Sequence, residues 1–585
     1  MKLLQPQGGR MQAREENPII VQEKGEVLLE VGSPRYEAAR DILAAFAELY
    51  KCPEQVHTYK ITPLSLWNAA ASSWTAQRVL QELEEFSRYP IPEQITANIR
   101  EWMGRYGRLQ LLQAAEGALE LHSSDEALLA QIVNHPQLGE YVEPGETPAV
   151  LRVREGMRGP IKQALLKQIQ FPVEDLAGYV DGEGLSIELR DTSSGGQLFN
   201  LRRYQREAVE AFWAGGAARG GSGVVVLPCG AGKTIVGMGA MSRINQTTII
   251  LTTNITALRQ WRDELLDKTS LRPEDIGEYS GEMKEIRPVT LTTYQIMTYR
   301  RSKEAAFAHM ELFNRRDWGF IIYDEVHLLP APVFRAVAEL QAKRRLGLTA
   351  TLVREDNKEE DVFSLIGPKK FDVPWKDLER QGWIAKAQCT EIRVALPEEE
   401  RMTYAAADSK SRFRIASENP LKIMVIEDLM ARHCADNVLI IGQYLDQLAE
   451  VQQRFDAPII TGKTPTQERR QLYDAFKAGE IKCLIVSKVA NFAIDLPDAN
   501  VAIQISGAFG SRQEEAQRLG RILRPKSDGS SAHFYSIVTR DSKDQEFALN
   551  RQKFLTEQGY RYSIVDSEVE CEAELVQSAE GQSAG

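Results

Sequence analysis

The sequence predicts an α/β protein with two tandem parallel-sheet domains, preceded by an α+β N-terminal region. Three observations carry that reading. From about residue 200, short apolar runs alternate with helical stretches: GVVVLP, TTIILTT, PVTLTTY, FIIYDE and RLGLTA. After residue 385 the alternation returns as VLIIGQY, APIITG, KCLIVS, VAIQIS and HFYSIV. Apolar runs bounded by helical segments mark parallel strands covered on both faces. The chain, at 585 residues, is also too long for one core and should divide into roughly three or four domains.

Taken in order, residues 1–18 read as a disordered lead, and 19–145 as a mixed α/β accessory domain. Within it PRYEAARDILAAFAELYK has helical spacing of its apolar residues. TPLSLWNAAASSWTAQRVLQELEEF opens a helix with a threonine cap and a proline at the first helical position. IPEQITANIREWMGRYGRLQLL predicts a helix leading into a strand. PGETP at 144–148 breaks the chain, and VLRVR, KQALLKQIQ and LSIEL then predict a small α+β unit over 149–195. The first parallel-sheet domain is expected over 196–380 and the second over 386–565, joined near KDLERQGWIAKAQ, with 567–585 a disordered tail.

Composition excludes several classes. Apolar content of 43% and charged content of 26% are those of an ordinary soluble protein. A net charge of −11 gives no global nucleic-acid footprint, so any such surface is a local groove in an acidic whole. The six cysteines, at 52, 229, 389, 434, 483 and 571, form no closely spaced pair. That argues against zinc, an iron–sulfur cluster or a disulfide framework, and suits a reducing compartment. The start turns polar after two leucines, unlike a signal peptide, and no apolar run reaches the ~18 residues of a membrane span. A cytoplasmic protein with no membrane partner is expected.

Four stretches carry chemistry. LPCGAGKT, residues 227–234, follows a strand and precedes the helical run IVGMGAMSRI. Amides around Gly230, Ala231 and Gly232 can cradle phosphates there, with Lys233 supplying charge and Thr234 a hydroxyl for Mg²⁺. Leu227 stands where the general phosphate-loop pattern has its first glycine, and Cys229 reads as a space-filler. FIIYDEVHLLP, 320–330, drives an acidic pair to the end of a buried strand. Buried carboxylates are costly unless paired or on a metal. With a phosphate loop upstream, Asp324 would hold Mg²⁺ through water and Glu325 would polarise the water attacking a γ-phosphate. His327 is better placed to sense nucleotide state than to do chemistry, although a lone histidine is more often structural. LGLTATLVRED, 346–356, sets the Thr349 and Thr351 hydroxyls after another strand, suited to coupling the acidic segment to movement, although T-A-T alone reads more simply as a β-branched strand end. In SRQEEAQRLGRILRPK, 511–526, Gln517, Arg521 and Arg524 fall at i, i+4 and i+7 on one helix face. A solvated basic face would look the same. With the phosphate loop and acidic pair present, the two arginines read as groups that stabilise charge on the transferring phosphate.

In this order the motifs resemble superfamily 2 helicases, and within them the XPB family in its shorter bacterial form. The marks are LRRYQREAV before the phosphate loop, LPCGAGKT, YDEVHLLPAPVFR, LGLTATLVRED, and IDLPDANVAIQIS leading into SRQEEAQRLGRILRPK, over about residues 200–560. The resemblance implies two RecA-like motor domains and a 3′-to-5′ ATP-dependent DNA helicase or translocase of DNA repair, needing ATP and Mg²⁺ and associated with the nucleoid. It implies that Gln205 reads adenine, and that Thr292, Thr293, Thr461 and Gly462 lie in segments touching the DNA backbone. It implies a strand-separating role for Arg354, Glu355 and Asp356. A damage-recognition domain falls at 149–195, and a short thumb at 398–420 with Lys410, Arg412 and Arg414. Some members work with a nuclease, a partner class implied here too, and a monomer is expected. An RNA helicase, a double-strand DNA translocase that never unwinds, and a DNA-binding scaffold with a gated motor share parts of this pattern.

Overall fold

The computed structural model describes residues 16–53, 55–114, 117–178, 181–228, 230–300, 308–329, 344–350, 359–487, 499–507, 531–560 and 562–567. Contacts divide the chain into two units, residues 1–50, 54–227 and 232–373 in the first, and 51–53, 228–231 and 374–585 in the second.

The N-terminal region opens with strands β1 (Ile19–Val21), β2 (Glu26–Glu30), β3 (Glu48–Lys51) and β4 (Val56–Lys60), in the order β1-β2-β4-β3. The expected disordered lead stops short of residue 18. Asn17 is buried, and its amide donates to the carbonyls of Glu85 at 2.7 Å and Ser87 at 3.1 Å. The predicted helix at PRYEAARDILAAFAELYK spans Tyr36–Phe46, burying Tyr36, Ala39, Leu43 and Phe46 along one face. Its last four residues, ELYK, leave the helix as β3. The single helix expected from Thr62 is two. Thr62 caps Pro63–Ala71, and Thr75 caps Ala76–Phe86 by accepting from the Arg78 amide at 3.2 Å. Between them Ser73 sits at φ 67°, a left-handed conformation no helix interior allows.

Strands β5 (Leu109–Gln113), β6 (Leu119–His122), β7 (Val142–Pro144), β8 (Val150–Val153) and β9 (Val173–Asp175) form a second sheet, ordered β7-β8-β6-β5-β9. The seam expected between 145 and 149 runs through this sheet, because β8 pairs with both β6 and β7 and β9 pairs with β5. The Pro-Gly signal marked a turn between paired strands and not a boundary. LSIEL forms no strand. Gly184 and Leu189 instead bridge singly to Gln246 and Thr269.

The first parallel sheet holds β10 (Ser222–Val226), β11 (Thr248–Thr252), β12 (Ile276–Tyr279), β13 (Val289–Thr293), β14 (Phe320–Asp324), β15 (Arg344–Thr349) and β16 (Lys369–Asp372). Its order is β12-β13-β11-β14-β15-β10-β16, every neighbouring pair parallel. Val224, Ile249, Ile321 and Tyr323 from three of these strands bury against Trp318 and Leu365. Each such side chain contributes on the order of 1.5–3 kcal/mol. The N-terminal region packs on the β16 side. Asn68 Oδ1 accepts from the Lys369 amide at 3.0 Å, and Gln163 and Lys167 both reach Asp361, at 2.9 and 2.8 Å. Trp67 and Leu166 close over Phe363.

The second parallel sheet holds β17 (Ala387–Val394), β18 (Val438–Gly442), β19 (Ile459–Ile460), β20 (Cys483–Ser487), β21 (Val501–Gln504), β22 (Ala532–Thr539) and β23 (Tyr562–Asp566), ordered β19-β20-β18-β21-β22-β17-β23. Numbered 1 to 7 along the chain, the strands of both parallel sheets read 3-4-2-5-6-1-7. The two α/β domains are therefore one topology used twice. The short thumb expected at 398–420 is a pair of helices, Glu398–Ala406 and Ser409–Ser417. Arg412 there donates to the Ala405 carbonyl at 2.6 Å, and Arg414 pairs with Glu418 and Asp446, so both guanidiniums are engaged within the domain.

Candidate active site

In open parallel sheets, ligands bind beyond the carboxyl ends of the strands, near the point where strand order reverses. In the first sheet the chemistry-bearing residues lie at the ends of β10, β14 and β15. Strand β10 runs out at Val226, and the next amide, Leu227, donates to the Thr349 carbonyl at the end of β15 at 2.9 Å. The loop then turns through Gly230 at φ 79° and Gly232 at φ 81°. Gly232 caps the helix Lys233–Ile244. A Cβ there would stand 2.5 Å from Nε2 of Gln205, so the glycine is required by backbone angle and by space together. Gln205 is itself buried, its Oε1 accepting from the Arg202 amide at 2.9 Å. Sequence and structure thus place Gln205 directly against the phosphate loop.

At the end of β14, Asp324 keeps its carboxylate in place through Trp261, whose Nε1 donates to Oδ2 at 2.9 Å. Tyr294 holds the same residue by its backbone, the phenol donating to the Asp324 carbonyl at 2.9 Å. Glu325 follows in left-handed backbone, φ 50°, which turns its side chain out of the strand direction. Its Oε1 lies 3.2 Å from Lys233 Nζ and its Oε2 lies 3.5 Å from His327 Nδ1. His327 Nδ1 also meets Thr349 Oγ1 at 2.7 Å. Lys233, Glu325, His327 and Thr349 are therefore one connected line across the ends of three strands. The acidic pair is electrostatically split. Burial and then the Glu325 charge push Asp324 up to about 6. Burial also works against the charge of Glu325, but Lys233 and then His327 overcome it and hold that carboxyl below its ordinary value.

A divalent cation fits this donor set. Among the described residues no cation neutralises the Asp324 carboxylate fully and Glu325 Oε2, buried, accepts no hydrogen bond, while Thr234 stands half-buried in the first turn of the helix. Among the described residues no group of three or more His, Cys, Asp or Glu side chains is arranged to hold a metal.

Other expected residues are placed differently. Thr292 and Thr293 are buried, Thr292 within β13 and Thr293 capping the short helix Tyr294–Met297, so neither hydroxyl reaches a surface. In the second unit, Thr461 and Gly462 open an exposed turn whose carbonyls both accept from Arg469, at 2.9 and 3.0 Å. Thr351, Arg354, Glu355 and Asp356, and Gln517, Arg521 and Arg524, lie outside the described residues.

Residues 378–583 match the family described as ERCC3/RAD25/XPB C-terminal helicase, residues 198–354 the one described as type III restriction enzyme, res subunit, and residues 19–143 a helicase conserved C-terminal domain. A protein of Kineococcus radiotolerans named DNA 3′-5′ helicase XPB is 55% identical over 94% of this chain and 97% of its own. The chain belongs to the XPB helicase family. The Mycobacterium tuberculosis member of that name is likewise 55% identical, over 94% of this chain and 98% of its own. The XPB/SSL2 subunit of the general transcription and DNA repair factor IIH of Saccharomyces cerevisiae is 31% identical, over 92% and 71%. Two residues of this XPB-family site escaped the motif reading, Trp261 and Tyr294. Both act by tertiary contact on Asp324 from elements with no motif of their own, and only the apolar spacing of RQWRDELL hinted that Trp261 faces inward.

Proposed function

We propose that the chain is an ATP-driven DNA helicase that moves 3′ to 5′ along one strand in the service of DNA repair. The Lys233–Glu325 ion pair, at 3.2 Å, carries the reading. It joins the one mobile cation of the phosphate loop to the carboxylate best placed to receive a proton from water. Phosphate oxygens of ATP would compete for Lys233 Nζ, since an ammonium binds phosphate as a point charge. Glu325, released from Lys233 but still beside His327, would then orient the attacking water and accept its proton. Asp324 and Thr234 would hold Mg²⁺, which would offset negative charge on the phosphates. Gln205, fixed against Gly232, would read the base. Arg521 and Arg524, with Gln517 beside them, would supply charge to the transferring phosphate. The His327–Thr349 hydrogen bond would pass the state of Glu325 to β15 and on to Thr351 and the Arg354-Glu355-Asp356 triplet, which would part the strands.

DNA backbone contacts in the second unit fall to the exposed turn at Thr461 and Gly462, with Lys463 at its tip. Grip of that kind is electrostatic and weakens with salt. No helix among the described residues is long and apolar enough to cross a membrane, and we take the protein to act at the nucleoid as a monomer. A nuclease is the partner class to seek by co-purification. Replacing Lys233 by alanine should lower DNA-stimulated ATP turnover by about a hundredfold or more, while DNA affinity changes little. Forks with a single 3′ or 5′ tail test direction. Unwinding from the 3′ tail supports the reading, and ATP turnover stimulated equally by RNA, or without strand separation on any fork, overturns it.

A further inference from the structure

A cavity of about 850 Å³ opens within the first unit, where the five-stranded sheet meets the β16 edge of the parallel sheet. It stands apart from Lys233, Asp324 and Glu325, none of which lines it. Its volume is that of an ordinary small-molecule site, yet its walls are charged. Four cations line it, Arg108, Lys162, Arg219 and Lys370, against two carboxylates, Glu174 and Asp175.

The pairing of these groups leaves positive charge over. Asp175 is taken by Arg158 at 2.6 Å and Lys162 at 2.9 Å, and Glu174 by Arg219 at 2.7 Å. Lys370 donates to the Arg219 carbonyl at 2.8 Å and feels the charge of Glu174, a carboxylate that Arg219 already pairs. Arg108, an exposed lining residue, is in no ion pair among the described residues. The Tyr106 hydroxyl also faces this space, and burial, then the Glu174 charge, keep it protonated and able to donate. The excess is felt at the back wall. Burial pushes Lys162 down to about 8 against the pull of Asp175, and Arg345 and Arg158 press in the same direction. The Lys370 stem passes over Gly223, where a Cβ would lie 2.5 Å from Lys370 Cγ. Ammonium and guanidinium groups that outnumber the carboxylates around a roomy hollow are what an anion with several oxygens requires. We infer that this cavity binds a phosphate-bearing small anion at a second site, separate from the ATP site. Ala70, Ala211 and Phe363 give it an apolar side on which a nucleoside could lie.

The test is calorimetric titration of the full chain carrying Lys233→Ala, which silences the phosphate loop, with pyrophosphate and separately with ADP. One saturable site is expected in that background. Arg108→Ala and Lys370→Met should each weaken it about tenfold, with the melting temperature of the unliganded protein unchanged for Arg108→Ala. Tighter binding of ADP than of pyrophosphate would assign the ligand to nucleotides, and the reverse to inorganic oligophosphate; either supports the inference. No heat from either anion at millimolar concentration, or binding that both substitutions leave intact, overturns it. With Lys233 intact, Arg108→Ala should retain DNA-stimulated ATP turnover, so loss of the second site reads separately from any failure of the ATP site.

Discussion

Asp324 shows how one residue can be held at the expense of stability. Its carboxyl is raised to about 6, first by burial and then by Glu325. A carboxyl raised on folding favours the folded state while protonated, and that stability is lost as pH climbs from the ordinary carboxylate range through the folded value. At neutral pH the nucleotide-free protein therefore carries an unfavourable charge. Asp324→Asn keeps an oxygen for Trp261 Nε1 and removes that charge. We expect the variant to be more stable than the parent by on the order of 1–3 kcal/mol at pH 7.5. The gain should shrink as pH falls towards 4, and ATP turnover should be abolished; urea unfolding at the two pH values measures the first part. Thr349→Val tests the coupling line. Losing its bond to His327 should lower stability by about 1 kcal/mol, and should reduce DNA-stimulated turnover more than basal turnover in paired ATPase assays. The residues of the acidic pair and the loop were legible because their chemistry is local: a strand, a turn and a helix start within eight residues. Trp261 and Tyr294 were not, because nothing in a one-dimensional pattern tells which strand end a distant aromatic will meet.

At the scale of elements, the phosphate-loop helix owes its position to two glycines in VGMGAM. A Cβ on Gly237 would stand 2.5 Å from Trp261 Cη2, and one on Gly239 would stand 2.8 Å from Val209 Cγ2. The helix is thus clasped on opposite sides, and one of its neighbours is the tryptophan that holds Asp324. Gly237→Ala should destabilise by about 1–3 kcal/mol through overpacking, despite alanine's better helix propensity. It should also lower the maximal ATPase rate more than it changes the KM for ATP, since Trp261 would be displaced from Asp324; steady-state kinetics beside thermal melting separates these effects. The same reasoning accounts for where periodicity misled. Apolar spacing continued across Ser72–Ser73, so one helix was expected where a second threonine cap starts another. LSIEL alternates like a strand but pairs only singly, at Leu189 with Thr269, and a continuous ladder, not alternation, makes a strand.

Over the whole molecule, the two parallel sheets were visible as two returns of the same alternation, but their strand order was not, since crossover partners are chosen by contacts far apart in sequence. The N-terminal region was the least legible part. Its boundaries were sought in composition, whereas its sheet closes across the Pro-Gly turn and its helices settle on the β16 edge. Asp361 fastens that junction, accepting from Gln163 and pairing with Lys167. Asp361→Ala should release it: limited proteolysis of the N-terminal region should quicken several-fold, with a stability loss of about 1–3 kcal/mol from the hydrogen bond and ion pair together. The repeated strand order carries a last consequence. Where β10 leads into Gly230, Gly232 and Lys233, its counterpart β17 leads into Ala395, Leu396 and Pro397, with no glycine and no lysine before the next helix. One frame has kept a place for phosphate and its twin has not. The wiring of the two halves is shared and their fittings differ.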